Sequence, residues 1–317
     1  MKKLVIAIGG NAITRDNEKG TVEEQKQNIR HCCELIADLI EEGYEIVVTH
    51  GNGPQVGNLV LQNDLAKNTV PENPLDICDA QTQGSLGYLI TQTMDNVLSS
   101  RGISKHVVAV LAQMTVDETD PGFTYPTKFI GPFFTENEAK ILQETKGYQM
   151  RKDSNRGYRR VVASPKPTRL VEKEAIKILL EQKFLVITVG GGGIPVICGE
   201  HGLKGVEAVI DKDYASALVA EEVDADILVI LTGVEKVAID FGKPTARELD
   251  FLTPDQCRHY MKQGQFPAGS MGPKIDAALQ FVTRNGREAL ITSIERLKDA
   301  LAGKDGTRIV SSKEDNI

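Results

Sequence analysis

Tryptophan is absent, aromatic residues make up only 5% of the chain, and no apolar run approaches the roughly 20 residues that a membrane-spanning helix needs. The missing run excludes a transmembrane reading. The aromatic shortage excludes little, because 41% hydrophobic and 26% charged residues are ordinary globular proportions that rule out disordered and fibrous classes. Basic residues are outnumbered 37 to 44, for a formal net charge of -7. That balance argues against a nucleic-acid partner, which would need a clustered basic surface to displace counterions from phosphates. It also means that an anionic ligand must meet local cations. No C-x-x-C pair occurs; Cys32, Cys33, Cys78, Cys198 and Cys257 are odd in number and scattered, which suits reduced thiols in a cytoplasmic protein. Neither G-x-x-x-x-G-K-[ST] nor a G-x-G-x-x-G with its following acidic residue is found, which weakens P-loop ATPase and Rossmann dehydrogenase readings.

What the chain does have is alternation. Short apolar runs are separated by amphipathic stretches of helical length, the pattern of a mostly parallel sheet covered by helices. Strands are expected over Lys3 to Ile8, Glu45 to Thr49, His106 to Leu111, Phe184 to Val189, Ile227 to Leu231 and Glu288 to Ile291. The first of these follows Lys2 and imitates a signal peptide, but its apolar run stops too soon, at Gly9-Gly10-Asn11. Val22 to Glu42 places Ile29, Cys33, Ile36 and Ile40 on one helical face, and Arg169 to Gln182 does the same with Leu170, Ile176 and Leu180. The 317 residues suffice for about two lobes, and no Gly/Ser-rich linker separates them, so one continuous sheet is expected to run through both. From about Thr115 to Lys166 the rhythm breaks. Prolines, glycines and a dense charge run surround one expected helix, Glu136 to Thr145, as in a functional lid or small subdomain.

Three expected strands end in glycine-rich turns: Gly9-Gly10-Asn11, His50-Gly51-Asn52-Gly53-Pro54 and Gly190 to Gly193. Beyond the carboxyl ends of strands in open α/β sheets, glycine lets backbone N–H groups approach an anion, so three such turns suggest a phosphate or oxyanion track. Matching cations are Lys212, within Asp211-Lys212-Asp213 at an expected helix start, and Lys274, just after Pro273 in what reads as a first helical turn. Asp213 is placed to orient both lysines and to hold them protonated by opposite charge. His50, at a strand end, reads as a structural hydrogen-bonder rather than a base. Thr232, Gly233 and Val234, with Val237, Ala238 and Met271, are candidates for the wall of an adenine pocket, although core packing explains these side chains nearly as well.

Ile8-Gly9-Gly10-Asn11-Ala12, His50 through Gly57, Pro126-Thr127-Lys128 through Phe133, Gly157-Tyr158-Arg159-Arg160 through Pro165 and Val209-Ile210-Asp211-Lys212-Asp213 resemble carbamate kinases, within the amino-acid kinase fold. The resemblance implies a homodimer of three-layer α/β/α subunits built on a mostly parallel sheet, with a protruding subdomain. Residues 1–185 would form a lobe for carbamate or carbamoyl phosphate and for dimerisation, and residues 186–317 a lobe for ADP or ATP. Gly9, Gly10, Asn11, Gly51, Asn52 and Gly53 would hold the substrate, and Lys128, Lys212, Asp213 and Lys274 would be catalytic. The nucleotide would meet Asp211, Lys212 and Lys274 as well as the candidate adenine wall. The helix beginning near Asp79, with Gly84, Gly87 and Tyr88, would make the dimer contact. The implied reaction is ATP + carbamate ⇌ ADP + carbamoyl phosphate, run toward ATP in a fermentative, arginine deiminase type catabolism.

Neighbouring families of the same fold usually carry a lysine two positions before the first glycine pair, where this chain has Ala7, so the resemblance passes the charge to Lys128 and Lys212. Phe129 also departs from the family's usual proline after the first functional lysine. Carbamate is already an anion and needs no base to attack, whereas an alcohol acceptor would need one. Mg²⁺ is expected to arrive on the nucleotide phosphates, since it keeps much of its hydration and seldom takes an all-protein cage. Two other readings remain open: an acid kinase of the same fold acting on an amino-acid carboxylate, and a non-catalytic nucleotide-binding regulator.

Overall fold

Alternation within the first strand accounts for the layering. In Lys3–Ile8, Val5 and Ala7 join the core on one face of the central sheet while Leu4, Ile6 and Ile8 join the core on the other, as the two-residue period of a strand requires. Both faces are apolar, so both must be covered. The computed structural model describes residues 2–15, 18–153, 156–267 and 269–311, with Asn11 described by its backbone alone. Its main sheet has eight strands in the spatial order Phe251–Leu252, Thr307–Ile309, Glu288–Thr292, Ile227–Leu231, Lys3–Ile8, Glu45–His50, Leu185–Thr188 and Val107–Val110. From Glu288–Thr292 to Val107–Val110 every neighbour pairs parallel, and Thr307–Ile309 runs antiparallel to Glu288–Thr292.

Helices Lys173–Glu181, Lys212–Glu222, Pro254–Lys262 and Met271–Asn285 cover one face, through side chains that include Ile176, Val219, Cys257 and Phe281. Helices Val22–Glu41 and Leu75–Ser100 cover the other, with Ile29, Cys33 and Ile36 from the first and Leu86, Ile90 and Met94 from the second. The result is a three-layer α/β/α sandwich whose sheet draws strands from both halves of the chain, as the alternation predicts. Local signals agree with this packing: Thr21 and Glu24 form a reciprocal capping box that starts the helix at Val22.

The stretch from Arg169 to Gln182 differs from its expected single helix. Pro167–Leu170 is a strand, paired antiparallel with Gln113–Val116, and the helix begins only at Lys173. Leu170 is fully buried in the strand, and a buried apolar residue counted into a helical spacing cannot by itself tell strand from helix. The same strand pair forms a neck. Between its two strands the chain folds into a three-stranded antiparallel sheet, with Tyr158–Val162 between Lys128–Phe134 and Met150–Lys152, and the helix Glu136–Lys146. A segment with one expected helix is therefore an ordered subdomain. It is fastened to the helix Gly53–Ala66, whose buried Asp64 accepts hydrogen bonds from Lys146 Nζ and, at 2.6 Å, from the Tyr148 hydroxyl.

Candidate active site

The three glycine turns lie together at the carboxyl edge of the central strands. After Ile8 the chain makes a single 3-10 turn, Gly10–Ala12; after His50 it enters the helix that starts at Gly53; after Thr188 it turns through Gly190–Gly192. Glycine is required where these turns meet. A Cβ on Gly191, whose φ is +70°, would lie 2.2 Å from Asn52 Nδ2, and one on Gly192 would lie 2.3 Å from the Ile210 carbonyl oxygen. At Gly10 a Cβ would meet nothing within 4 Å, so that residue opens directly onto a cleft of about 1190 Å³.

Gly51, Asn52, Gly53 and Gly191 share this cleft with Lys128, Asp211, Lys212, Asp213 and Lys274. Lys212 and Asp213 stand on the first turn of the helix Lys212–Glu222, where Asp211 is the N-cap and its Oδ1 accepts from the Asp213 N–H at 2.9 Å. Lys274 comes from the first turns of Met271–Asn285, which begins two residues before Pro273. Asp213 joins the two helices: its Oδ1 accepts from Lys212 Nζ at 2.6 Å and its Oδ2 from Lys274 Nζ at 2.9 Å. Across the cleft, Lys128 reaches from the subdomain and donates to Asp211 Oδ2 at 2.8 Å. Among the described residues, nine Lys and Arg side chains against five Asp and Glu line the cleft, which gives a positive site in a chain whose net charge is -7.

The titration behaviour is uneven. Burial works to raise the Asp213 carboxyl, but the two ammonium groups overcome it and hold the group well below the usual carboxylate range. Burial also opposes charge on Lys274, yet Asp213 and Asp211 hold its pKa above the ordinary value. For Lys212 burial prevails, helped by the charge of Lys274, and its pKa is lowered despite Asp213. Asp213 thus orients both lysines, and its charge raises the pKa of Lys274 while only opposing the effect of burial on Lys212.

Gly9 and the candidate adenine-wall residues lie outside the lining of the cleft. Gly9 packs its backbone near the Leu231 carbonyl oxygen, which would lie 3.0 Å from a Cβ there. Thr232, Gly233, Val234, Val237, Ala238 and Met271 are not among the residues lining the cleft. Val237 is fully buried in the main core, and Met271 packs against that core from the start of its helix. The Asn11 side chain lies outside the described residues. His50 is buried with Nδ1 3.1 Å from the Gly51 carbonyl oxygen, and burial, the largest influence, pushes its pKa down to about 4.

Sequence reasoning missed the support beneath Asn52. Its Nδ2 donates to Asp79 Oδ1 and to Thr82 Oγ1, both at 2.8 Å, and all three residues are buried. The only sequence signal was a pair of polar residues on the buried face of a helix that also carries Leu75, Cys78 and Leu86.

The amino acid kinase family is matched by residues 2–293 of the chain. A carbamate kinase of Thermococcus kodakarensis is 49% identical over 313 residues, covering 98% of this chain and 99% of its own. The solved carbamate kinase from Giardia lamblia bound to citric acid superimposes with a TM-score of 0.93 at 42% identity, covering 98% of each chain. The same protein bound to AMP-PNP gives 0.89 at 43% identity, also over 98% of each chain.

Proposed function

For a chain that belongs to the amino acid kinase family, and within it to the carbamate kinases, we propose the following division of labour in the reaction ATP + carbamate ⇌ ADP + carbamoyl phosphate. The observation that carries it is the Asp213 junction, which aims two lysines from two helix starts into a cleft floored by glycine turns. Phosphoryl transfer through a loose transition state needs alignment and cations on the equatorial oxygens more than covalent help. Lys212 and Lys274 supply that charge from the nucleotide side, with Lys274 toward the β and γ phosphates. Lys128 supplies it from the carbamoyl side, where the backbone around Gly10, Gly51 and Gly53 holds the substrate. Carbamate attacks as the anion it already is, so no base is required, and a His50 ring kept neutral by burial fits that economy.

Residues up to 185 form the carbamoyl lobe and those from 186 the nucleotide lobe in this reading, with the subdomain closing over both. Mg²⁺ enters on the nucleotide phosphates: among the described residues no three His, Cys, Asp or Glu side chains converge as a cage, and Asp211 and Asp213 are already engaged with lysines. A second copy of the chain meets the helix Leu75–Ser100 along the face of Gly84, Gly87 and Tyr88, of which Gly84 and Tyr88 are exposed. None of the described helices is long and apolar enough to cross a membrane, and a cytoplasmic setting with net flow toward ATP completes the proposal. The test is a coupled assay with purified protein, ADP, Mg²⁺ and carbamoyl phosphate. ATP formation is the expected result, and no ATP at saturating substrates rejects the assignment.

A further inference from the structure

Resting on that reading, we propose that Asn52 is a specificity residue whose side-chain carbonyl accepts a hydrogen bond from the amide N–H of the carbamoyl group, and that Thr82 is the positioning residue that aims it. The orientation follows from donor accounting. The Thr82 hydroxyl spends its proton on the Asp79 carbonyl oxygen, 2.7 Å away, so toward Asn52 it can only accept. Asp79 Oδ1 lies 2.8 Å from the same Nδ2, but burial pushes the Asp79 carboxyl well above its ordinary range, so Thr82 rather than Asp79 fixes the orientation. With its proton spent, the Thr82 hydroxyl can face only the NH2 end of the amide, and Oδ1 is turned away from it. Gly191 packs so near the same amide that a Cβ on it would lie 2.2 Å from Nδ2.

Asn52 lines the cleft, and among the described residues nothing donates to its Oδ1. The chemistry of the site makes such an acceptor conspicuous. The lysines and turn N–H groups are donors, while all five carboxylates that line the cleft are engaged: Asp211 and Asp213 by Lys128, Lys212 and Lys274, Asp153 by Arg159, Asp120 by the Gly122 and Lys166 N–H groups, and Glu18 by Asn28. Carbamoyl phosphate is an acceptor almost everywhere and has a single donor group, its NH2. A neutral acceptor beside the glycine turns matches that group and offers nothing to a methyl. Acetyl phosphate, nearly the same shape with CH3 in place of NH2, is the discriminating probe.

The experiment measures KM and kcat for carbamoyl phosphate, and Ki for acetyl phosphate as a competitive inhibitor, in the wild type, Asn52→Leu, Thr82→Val and Thr82→Ser. Loss of one such hydrogen bond is expected to raise the carbamoyl phosphate KM of Asn52→Leu about tenfold, with the acetyl phosphate Ki within about twofold of wild type. Thr82→Val should move the two constants apart in the same sense by releasing the amide, and Thr82→Ser, which keeps the hydroxyl, should restore them. A parallel rise of both constants would place Asn52 on the phosphate or in the scaffold and overturn the proposal, as would no change in either. If Asn52→Leu does not fold, Thr82→Val with its serine rescue decides alone. A wild-type protein that forms no ATP from carbamoyl phosphate removes the functional reading itself, and this inference with it.

Discussion

His50 carries a titration that belongs to folding rather than to catalysis. In the unfolded chain its imidazole takes up a proton near pH 6.5; in the folded chain burial, reinforced by the charge of Lys212 and opposed by the Gly51 carbonyl, delays that to about 4. Below pH 6.5 the unfolded state therefore binds more protons than the folded state. The associated stability is fully present above pH 6.5 and is lost progressively as the pH falls through the window to 4. At about 1.4 kcal/mol per pKa unit the whole effect is at most about 3 kcal/mol. His50→Gln should flatten the dependence: in urea unfolding between pH 7 and 4.5, the wild type should lose more stability than the variant, by up to that amount. Parallel curves would mean that His50 has no part in the acid sensitivity. The same burial explains why its role was readable in outline only, since a histidine after Thr49 signals a strand end without revealing that the ring is sealed against Gly190.

Elements show where local sequence suffices and where it does not. Lys3–Ile8 and Ile227–Leu231 are legible to the residue because they are continuous apolar runs ended by polar or glycine turns. The subdomain strands are not: Lys128–Phe134 contains Gly131 and Pro132, Met150–Lys152 exposes two of its three residues, and Tyr158–Val162 begins with Tyr158, Arg159 and Arg160 half-buried. What defines the first of them is contact with the helix Gly53–Ala66, and the other two are held by pairing onto it in turn. At the crossing, Gly57 lies against Gly131 so closely that a Cβ on Gly57 would be 1.9 Å from the Gly131 nitrogen and 2.0 Å from its Cα. Backbone on both sides leaves nothing flexible to yield. Gly57→Ala should thus cost about 1–3 kcal/mol as an overpacking change, read as a lower denaturant midpoint. Because Gly131 shares a strand with Lys128, turnover should fall even under conditions where the variant remains folded. A Gly57→Ala protein with wild-type midpoint and turnover would show that the two elements separate freely.

At the scale of the molecule, the legible parts of the site were those with charge next to a turn or a helix start, namely Lys212, Asp213 and Lys274. The illegible parts, Asp79 and Thr82, acquire their place only when the helix Leu75–Ser100 crosses the end of the strand at His50. Lys128 belongs between the two groups, because its local sequence marks it but only the fold carries it across the cleft. It sits on the subdomain and pairs with Asp211, the N-cap of the helix that bears Lys212 and Asp213. This ion pair ties the subdomain to that helix, and under the proposed function it is a contact that a carbamoyl substrate would exchange. Removing Lys128 leaves no buried orphan, since Asp211 keeps its bond to the Asp213 N–H and its side chain is 18% exposed to water. Lys128→Ala should therefore fold, lose about 10²-fold in kcat as one transition-state cation disappears, and bind carbamoyl phosphate more weakly. Its affinity for ADP should be almost unchanged if Lys212 and Lys274 hold the nucleotide from the opposite side. Calorimetric ADP binding and steady-state kinetics on the same preparation separate these outcomes. If ADP affinity collapsed while carbamoyl phosphate kinetics stayed normal, Lys128 would serve the nucleotide and the assignment of the two lobes would be reversed.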